Sequence, residues 1–287
     1  MQRYQDLFYR SYDGLTLYAR DYHSTDSTGV ATIVCIPGLT RNSADFDELC
    51  DALAGSFRVL AVDLRGRGRS EYDVNPSNYN PVVYAQDIQS LLQSEEIATA
   101  RFIGTSLGGI VSMTLAAMRP EMVEAVVLND IGPELGQAGI ARIQQYVKRG
   151  GLVKNWDEAV EVTRSVHHEA LPGLSDIEWE RFARGLYQEN EIGIPVLSYD
   201  KHIADAFDTV ETDATPSDLW PLYQSLGGLP ILVFRGESSD ILSAETVGKM
   251  LDINPNARAF EVSGRGHAPF LNELGVLSVI KNFLSDV

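Results

Sequence analysis

The chemistry in this chain centres on Ser106. It sits in Gly104-Thr105-Ser106-Leu107-Gly108, behind the short apolar run Arg101-Phe102-Ile103 and ahead of a helix-like stretch ending near Met118. A strand that turns through a serine into a helix presents that serine on a tight corner. Glycines two residues on either side lack a Cβ, so strand and helix can approach closely. The new helix points its free N–H groups at any negative charge that forms there. A serine hydroxyl is a poor nucleophile at neutral pH and needs an imidazole to take its proton. The imidazole in turn needs a carboxylate to orient it and to stabilise its positive charge.

Both partners are found far downstream. A strand over 230–236 runs into Glu237-Ser238-Ser239-Asp240, and a second over 258–262 runs into Gly264-Arg265-Gly266-His267. The candidate triad is therefore Ser106, Asp240 and His267. The interval between the last two leaves room for one helix and one strand. Asp130, at the end of an earlier strand over 123–128, is the alternative acid. Ser238 and Ser239 stop short of the acid position and cannot act as orienting anions. Asp63 also ends a strand, but it precedes Ser106 and reads as structural. Arg41 could bind a substrate carboxylate or could be an ordinary solvated loop residue.

The order Ser, Asp, His after a nucleophile elbow resembles the α/β-hydrolase-fold superfamily, in particular its esterases, lipases and carbon–carbon-bond hydrolases with a helical cap. The resemblance spans most of the chain and is weakest in its middle third. Asp63-Leu64-Arg65-Gly66-Arg67-Gly68-Arg69-Ser70 resembles the Asp-x-Arg-Gly-x-Gly-x-Ser turn common in that group. Ile36-Pro37-Gly38-Leu39 departs from it, with Pro37-Gly38 where His-Gly is usual. The resemblance implies an oxyanion hole made by the backbone N–H groups of Leu39 and Leu107. A backbone donor does not depend on the missing histidine. A serine at the elbow excludes the epoxide-hydrolase and dehalogenase branches, which use aspartate.

The elements needed to position these residues are visible in the patterning. Two alternating segments, 7–11 and 15–21, flank the turn signal Asp13-Gly14. Strands over 30–36, 59–62, 102–103 and 123–128 then alternate with helices over 43–53, 81–94 and the stretch after Ser106. This predicts an α/β fold: a mostly parallel eight-stranded sheet with helices on both faces. The alternation breaks after residue 130 and resumes at Pro230. Between them the periodicity is helical, clearest over 156–166 and 175–187, without a strong strand. This predicts a core domain of residues 1–130 and 226–287, with 131–225 as a helical cap inserted after the sixth core strand. By resemblance the cap covers Ser106, excludes water and shapes the pocket. Trp156, Trp179, Phe182, Tyr187 and Trp220 are candidates to line it, and each could equally be ordinary core.

Composition limits the partners. The chain has 287 residues, 44% of them apolar, which suffices for a sizeable core. A net charge of −17 argues against nucleic acid and anionic membrane surfaces. No stretch approaches the ~20 apolar residues of a membrane span. The polar start, Met1-Gln2-Arg3-Tyr4-Gln5-Asp6, does not read as a signal peptide, so a cytoplasmic protein is expected. Cys35 and Cys50 are the only cysteines, and Cys35 falls in a buried strand, so reduced thiols are expected. His167 and His168 are adjacent and face different ways on a helix, which makes them poor joint ligands. No metal and no cofactor is expected; the partner is a small-molecule substrate.

The expected reaction is ester hydrolysis through an acyl-enzyme. Lactones, thioesters, amides and diketone carbon–carbon bonds can be served by the same machinery. Two further readings stay open: a ligand-binding or signalling protein on a hydrolase scaffold, and cofactor-free oxygenase or lyase chemistry using the histidine as base.

Overall fold

A computed structural model describes residues 3–23, 30–149, 152–207 and 218–287. Eight strands form one sheet in the order β1-β2-β4-β3-β5-β6-β9-β10. The strands are β1 (Gln5–Arg10), β2 (Thr16–Tyr22), β3 (Thr32–Ile36), β4 (Arg58–Asp63), β5 (Ala100–Thr105), β6 (Val123–Asn129), β9 (Ile231–Gly236) and β10 (Ala257–Val262). Only the pairings of β2 with β1 and β4 are antiparallel. The remaining pairings are parallel, as the alternation of strand and helix predicts.

The parallel strands are apolar on both faces because both faces are covered. Along β3, Ile33 and Cys35 face one core, while Val34 and Ile36 face the other. On the Val34 side pack α2 (Pro81–Ser94), α3 (Leu107–Met118) and α8 (Ala244–Ile253), through residues such as Ile88, Val111 and Met250. On the Cys35 side pack α1 (Asp47–Leu53) and α9 (Val276–Ser285), through Leu49, Leu53, Ile280 and Phe283. Cys35 and Cys50 are both buried and free. Helix α2 starts where the sequence places it: Asn80 accepts the N–H groups of Val82 and Val83, and Pro81 occupies the first helical position.

The glycine-rich turn after β4 is a structural joint. Both carboxylate oxygens of Asp63 accept backbone N–H groups, from Ser43 at 2.7 Å and Arg69 at 2.8 Å. The fully buried Arg65 is ringed by Asp13, Asp73 and Asp87, which ties the first hairpin, this turn and α2 together.

After β6 come α4 (Gln137–Arg149), α5 (Trp156–His167) and α6 (Asp176–Leu186). A small antiparallel hairpin follows, β7 (Tyr187–Glu189) with β8 (Pro195–Leu197), which the helical reading of this region misses. Each strand is three residues long, too short to display a period of two. The turn is set by Asn190, whose side chain accepts the N–H groups of Ile192 and Ile194. Helix α7 (Trp220–Ser225) then leads back to the sheet. The insertion is bonded to the core: Gly68 donates to the Ser198 carbonyl at 2.8 Å, and Tyr79 donates to the Asp200 carboxylate at 2.6 Å. No helix among the described residues is long and apolar enough to cross a membrane.

Candidate active site

Ser106 joins β5 to α3 at φ 51°, ψ −115°. A non-glycine residue at positive φ costs on the order of 1–3 kcal/mol and persists only where its surroundings hold it. Here its N–H donates to the Asn129 carbonyl at 3.0 Å, and its own carbonyl accepts Gly109 N–H at 2.9 Å. The close approach that the flanking glycines permit is tight. A Cβ on Gly104 would lie 2.4 Å from the Gly108 backbone, and one on Gly108 would lie 2.0 Å from the Ile36 carbonyl oxygen. Alanine at either position would push the corner apart.

His267 Nε2 lies 2.9 Å from Ser106 Oγ. Its Nδ1 lies 2.7 Å from Asp130 Oδ2. A carboxylate accepts here, so the proton sits on Nδ1 and Nε2 is left to accept from the serine hydroxyl. Asp130 is fully buried and saturated: Oδ1 accepts Gly236 N–H at 2.7 Å, and Oδ2 also accepts the Ser239 hydroxyl at 2.6 Å.

The acid beside His267 is therefore Asp130, and the expectation of Asp240 is corrected. Asp240 turns to α4, where Arg142 donates to both its oxygens at 2.7 and 2.9 Å. Burial alone would raise the Asp240 carboxyl, but the Arg142 guanidinium outweighs it and holds the carboxyl below its usual range. The reason lies in the sheet order. Strand β6 is the neighbour of β5, whereas β9 is one strand further from Ser106. Asp130 immediately follows the last residue of β6, while Asp240 lies several residues beyond the end of β9. That difference in distance from a strand end was the sequence signal for the right choice. Ser239, dismissed as a substitute for the acid, instead supports it.

The loop expected to hold the oxyanion is a turn closed by Arg41 N–H donating to the Gly38 carbonyl at 3.1 Å. In a trans peptide the N–H points opposite to the C=O, so Leu39 N–H faces out of this turn. A Cβ on Gly38 would lie 3.8 Å from Ser106 Cβ, which places the turn against the serine. Leu107 is the first residue of α3, where an N–H has no intrahelical partner. Sequence reasoning missed Arg67. This buried side chain donates to the Leu39 carbonyl at 2.9 Å and to Tyr84 Oη at 2.8 Å, bracing the turn from below.

A cavity of about 90 Å³ opens on Ser106 and His267, walled by Leu39, Tyr146, His167 and Phe182. Tyr146, His167 and Phe182 belong to α4, α5 and α6, so the segment between β6 and β9 supplies part of the wall. Among the five aromatic candidates only Phe182 lines it. Trp179 packs behind Phe182 in a small cluster with Ala170 and Leu171, Trp156 and Tyr187 in another, and Trp220 donates to Glu134 at 3.0 Å. His167 lies between the rings of Tyr146 and Phe182. Burial, reinforced by Arg41, Arg142 and His267, pushes its pKa down to about 3, so it enters the cavity neutral. His168 is exposed and separate from it. Among the described residues no three His, Cys, Asp or Glu side chains are grouped to hold a metal ion.

Arg41 lines this cavity and also a second, outer one of about 280 Å³, edged by Glu48, Arg181, Arg184 and Asn272. Its carboxylate partner is Asp45, in the short helical turn over Ser43–Phe46, which accepts from both Nε and Nη2.

The alpha/beta hydrolase fold family matches residues 31–274. The crystal structure of an alpha/beta hydrolase from Novosphingobium aromaticivorans superimposes with a TM-score of 0.92 at 40% identity, over 100% of both chains. The 3-hydroxybutyrate-oligomer hydrolase of Cupriavidus necator is 28% identical over 94% of each chain. The 2-(acetamidomethylene)succinate hydrolase of Mesorhizobium japonicum is 31% identical over 86% of this chain and 85% of that protein.

Proposed function

Because the chain belongs to the alpha/beta hydrolase fold family, we propose that it hydrolyses carboxylic esters of small molecules with Ser106 as nucleophile, His267 as general base and acid, and Asp130 as the orienting carboxylate. The observation that carries this reading is the unbroken hydrogen-bond chain Ser106–His267–Asp130, at 2.9 and 2.7 Å.

Ser106 Oγ attacks the ester carbonyl while His267 Nε2 takes its proton. The negative oxygen of the tetrahedral intermediate is received by the Leu39 and Leu107 N–H groups, a pair of fixed donors of the kind worth roughly 3–4 kcal/mol each to the transition state. Collapse expels the alcohol, which His267 protonates, and leaves an acyl group on Ser106. Water, deprotonated by the same imidazole, then releases the acid. Asp130 keeps the proton on Nδ1 throughout and stabilises the imidazolium.

Two of the relatives are named as a 3-hydroxybutyrate-oligomer hydrolase and a 2-(acetamidomethylene)succinate hydrolase, which supports a small-molecule substrate. A net charge of −17 agrees with that and not with a polyanionic partner. The protein should form a covalent adduct on Ser106 with a fluorophosphonate, seen by peptide mass. Ser106→Ala should lower kcat on a short-chain p-nitrophenyl ester by roughly 10³–10⁶ with the fold intact. A binding protein would show no turnover. Chemistry run by the histidine alone would leave Ser106→Ala substantially active. Either result would end this reading.

A further inference from the structure

The inner and outer cavities share Arg41, Asp45, Phe182 and Phe270. These residues form a neck. The Phe182 and Phe270 ring centroids are 5.3 Å apart, and the Arg41 guanidinium lies 4.1 Å from the Phe182 ring centroid. Arg41 spends Nε and Nη2 on Asp45. Its Nη1 is buried and has no hydrogen-bond partner. An orphaned buried donor is costly, and native proteins retain few of them. This one belongs to a side chain that walls the cavity holding the nucleophile.

We propose that the neck selects esters whose alcohol part carries a second, neutral oxygen, and that Arg41 Nη1 donates to that oxygen. The inference rests on the serine-hydrolase reading and extends it to a substrate class. The inner cavity, at about 90 Å³, holds the scissile carbonyl and a short acyl chain. The alcohol part leaves through the neck into the larger cavity, passing Arg41. Displacement of the Phe182 ring from the guanidinium uncovers Nη1.

The acceptor is neutral because the local charges are already balanced. Asp45 neutralises Arg41, Asp240 neutralises Arg142, and His167 carries no charge. A carboxylate held by Nη1 would sit beside the Asp45 carboxylate with no spare cation to offset it. A ketone or ester carbonyl meets no such penalty.

Three propionate esters with equal numbers of heavy atoms test this: isobutyl, acetonyl and carboxymethyl. Selectivity is read as the acetonyl-to-isobutyl ratio of kcat/KM, in wild type relative to variant, so that leaving-group differences cancel. The double variant Arg41→Met/Asp45→Asn removes the donor without leaving Asp45 unpaired. Arg41→Met alone is measured beside it, with thermal unfolding of both. The ratio should fall by about 10- to 100-fold, the range for a hydrogen bond to a charged donor. Carboxymethyl propionate should be the poorer substrate of the two oxygenated esters in wild type. A fall of less than tenfold overturns the proposal, as does a preference for carboxymethyl that disappears in the variants. Fluorophosphonate labelling separates the two levels of failure. A labelled Ser106 with an unmoved ratio refutes the neck alone, whereas an unlabelled Ser106 in active protein refutes the underlying reaction.

Discussion

Replacing Asp130 by asparagine changes one atom, and the surroundings dictate how the new side chain must sit. Gly236 N–H donates to Oδ1 at 2.7 Å from a backbone that cannot turn away. The amide oxygen must stay on that side. The amide nitrogen then faces both Ser239 Oγ and His267 Nδ1, where Oδ2 stood at 2.6 and 2.7 Å. An N–H aimed at Nδ1 forces that ring nitrogen to accept, so the proton moves to Nε2. Nε2 then donates to Ser106 Oγ instead of receiving its proton. The imidazolium also loses its counter-charge. The corresponding change in a serine protease costs roughly 10⁴ in kcat, about 5.5 kcal/mol of barrier. Asp240→Asn should behave differently. Its pair with Arg142 is 31% and 23% exposed at the two side chains. A partly exposed pair contributes about 0.2–1 kcal/mol to stability, and the chemistry does not pass through it. Its kcat should stay within about threefold of wild type. The assay is steady-state hydrolysis of a short p-nitrophenyl ester by both variants, with the rate of fluorophosphonate labelling as a second reading of nucleophile activation. Loss of less than tenfold in Asp130→Asn, or a greater loss in Asp240→Asn, would refute the argument.

Two other predictions concern Asn129 and His167. Asn129 is fully buried, and its Nδ2 donates to Thr105 Oγ1 at 3.1 Å and to the Pro269 carbonyl at 2.8 Å, linking the residue before the nucleophile to the loop after His267. Asn129→Leu should reduce kcat by roughly 10–100-fold with KM within about threefold, because misplacement by an ångström is costly; a change in KM alone would make Asn129 a substrate contact. His167 titrates near 3 in the folded chain against an ordinary value of 6.5, so the unfolded chain binds a proton that the folded one refuses. Stability should therefore fall as pH drops from about 6.5 towards 3. His167→Phe should remove roughly 2–3 kcal/mol of the loss between pH 7 and 4.5, measured by urea unfolding; equal acid sensitivity in both proteins would contradict this.

The sheet, its helices and the strand–serine–helix corner at Ser106 were legible because local chemistry specifies them. Gly104 and Gly108 allow one contact geometry, Asn80-Pro81 starts α2, and the apolar runs of β3 to β6 require cover on both faces. The choice of acid was not legible in the same way. Asp130 and Asp240 both follow parallel strands, and the closer spacing of Asp130 to its strand end becomes decisive once the lateral order of β5, β6 and β9 is known. The pocket wall was still less legible. Trp179 and Phe182 lie on one helix with ring centroids 6.2 Å apart, yet Phe182 lines the cavity and Trp179 packs behind it. Helical periodicity identifies the buried face of α6 without saying which part of that face meets a cavity.

The root of the insertion has a consequence for protein engineering. Gly136 N–H donates to the Ile241 carbonyl at 2.8 Å, and a Cβ there would lie 2.1 Å from the Asp240 carbonyl oxygen. Arg142 grips the Asp240 side chain in the same loop. The preceding residue of that loop, Ser239, bonds to Asp130. At the returning end, Trp220 donates to Glu134, which also takes Thr246 and Lys249 of α8. A chimera that exchanged lids by cutting at residue 131 would sever this seam and unsettle the orienting carboxylate along with the pocket. The suture belongs beyond Arg142 on the way out and before Trp220 on the way back. Cut there, the Gly136–Ile241 and Arg142–Asp240 contacts, and the Ser239–Asp130 bond behind them, all stay in the recipient.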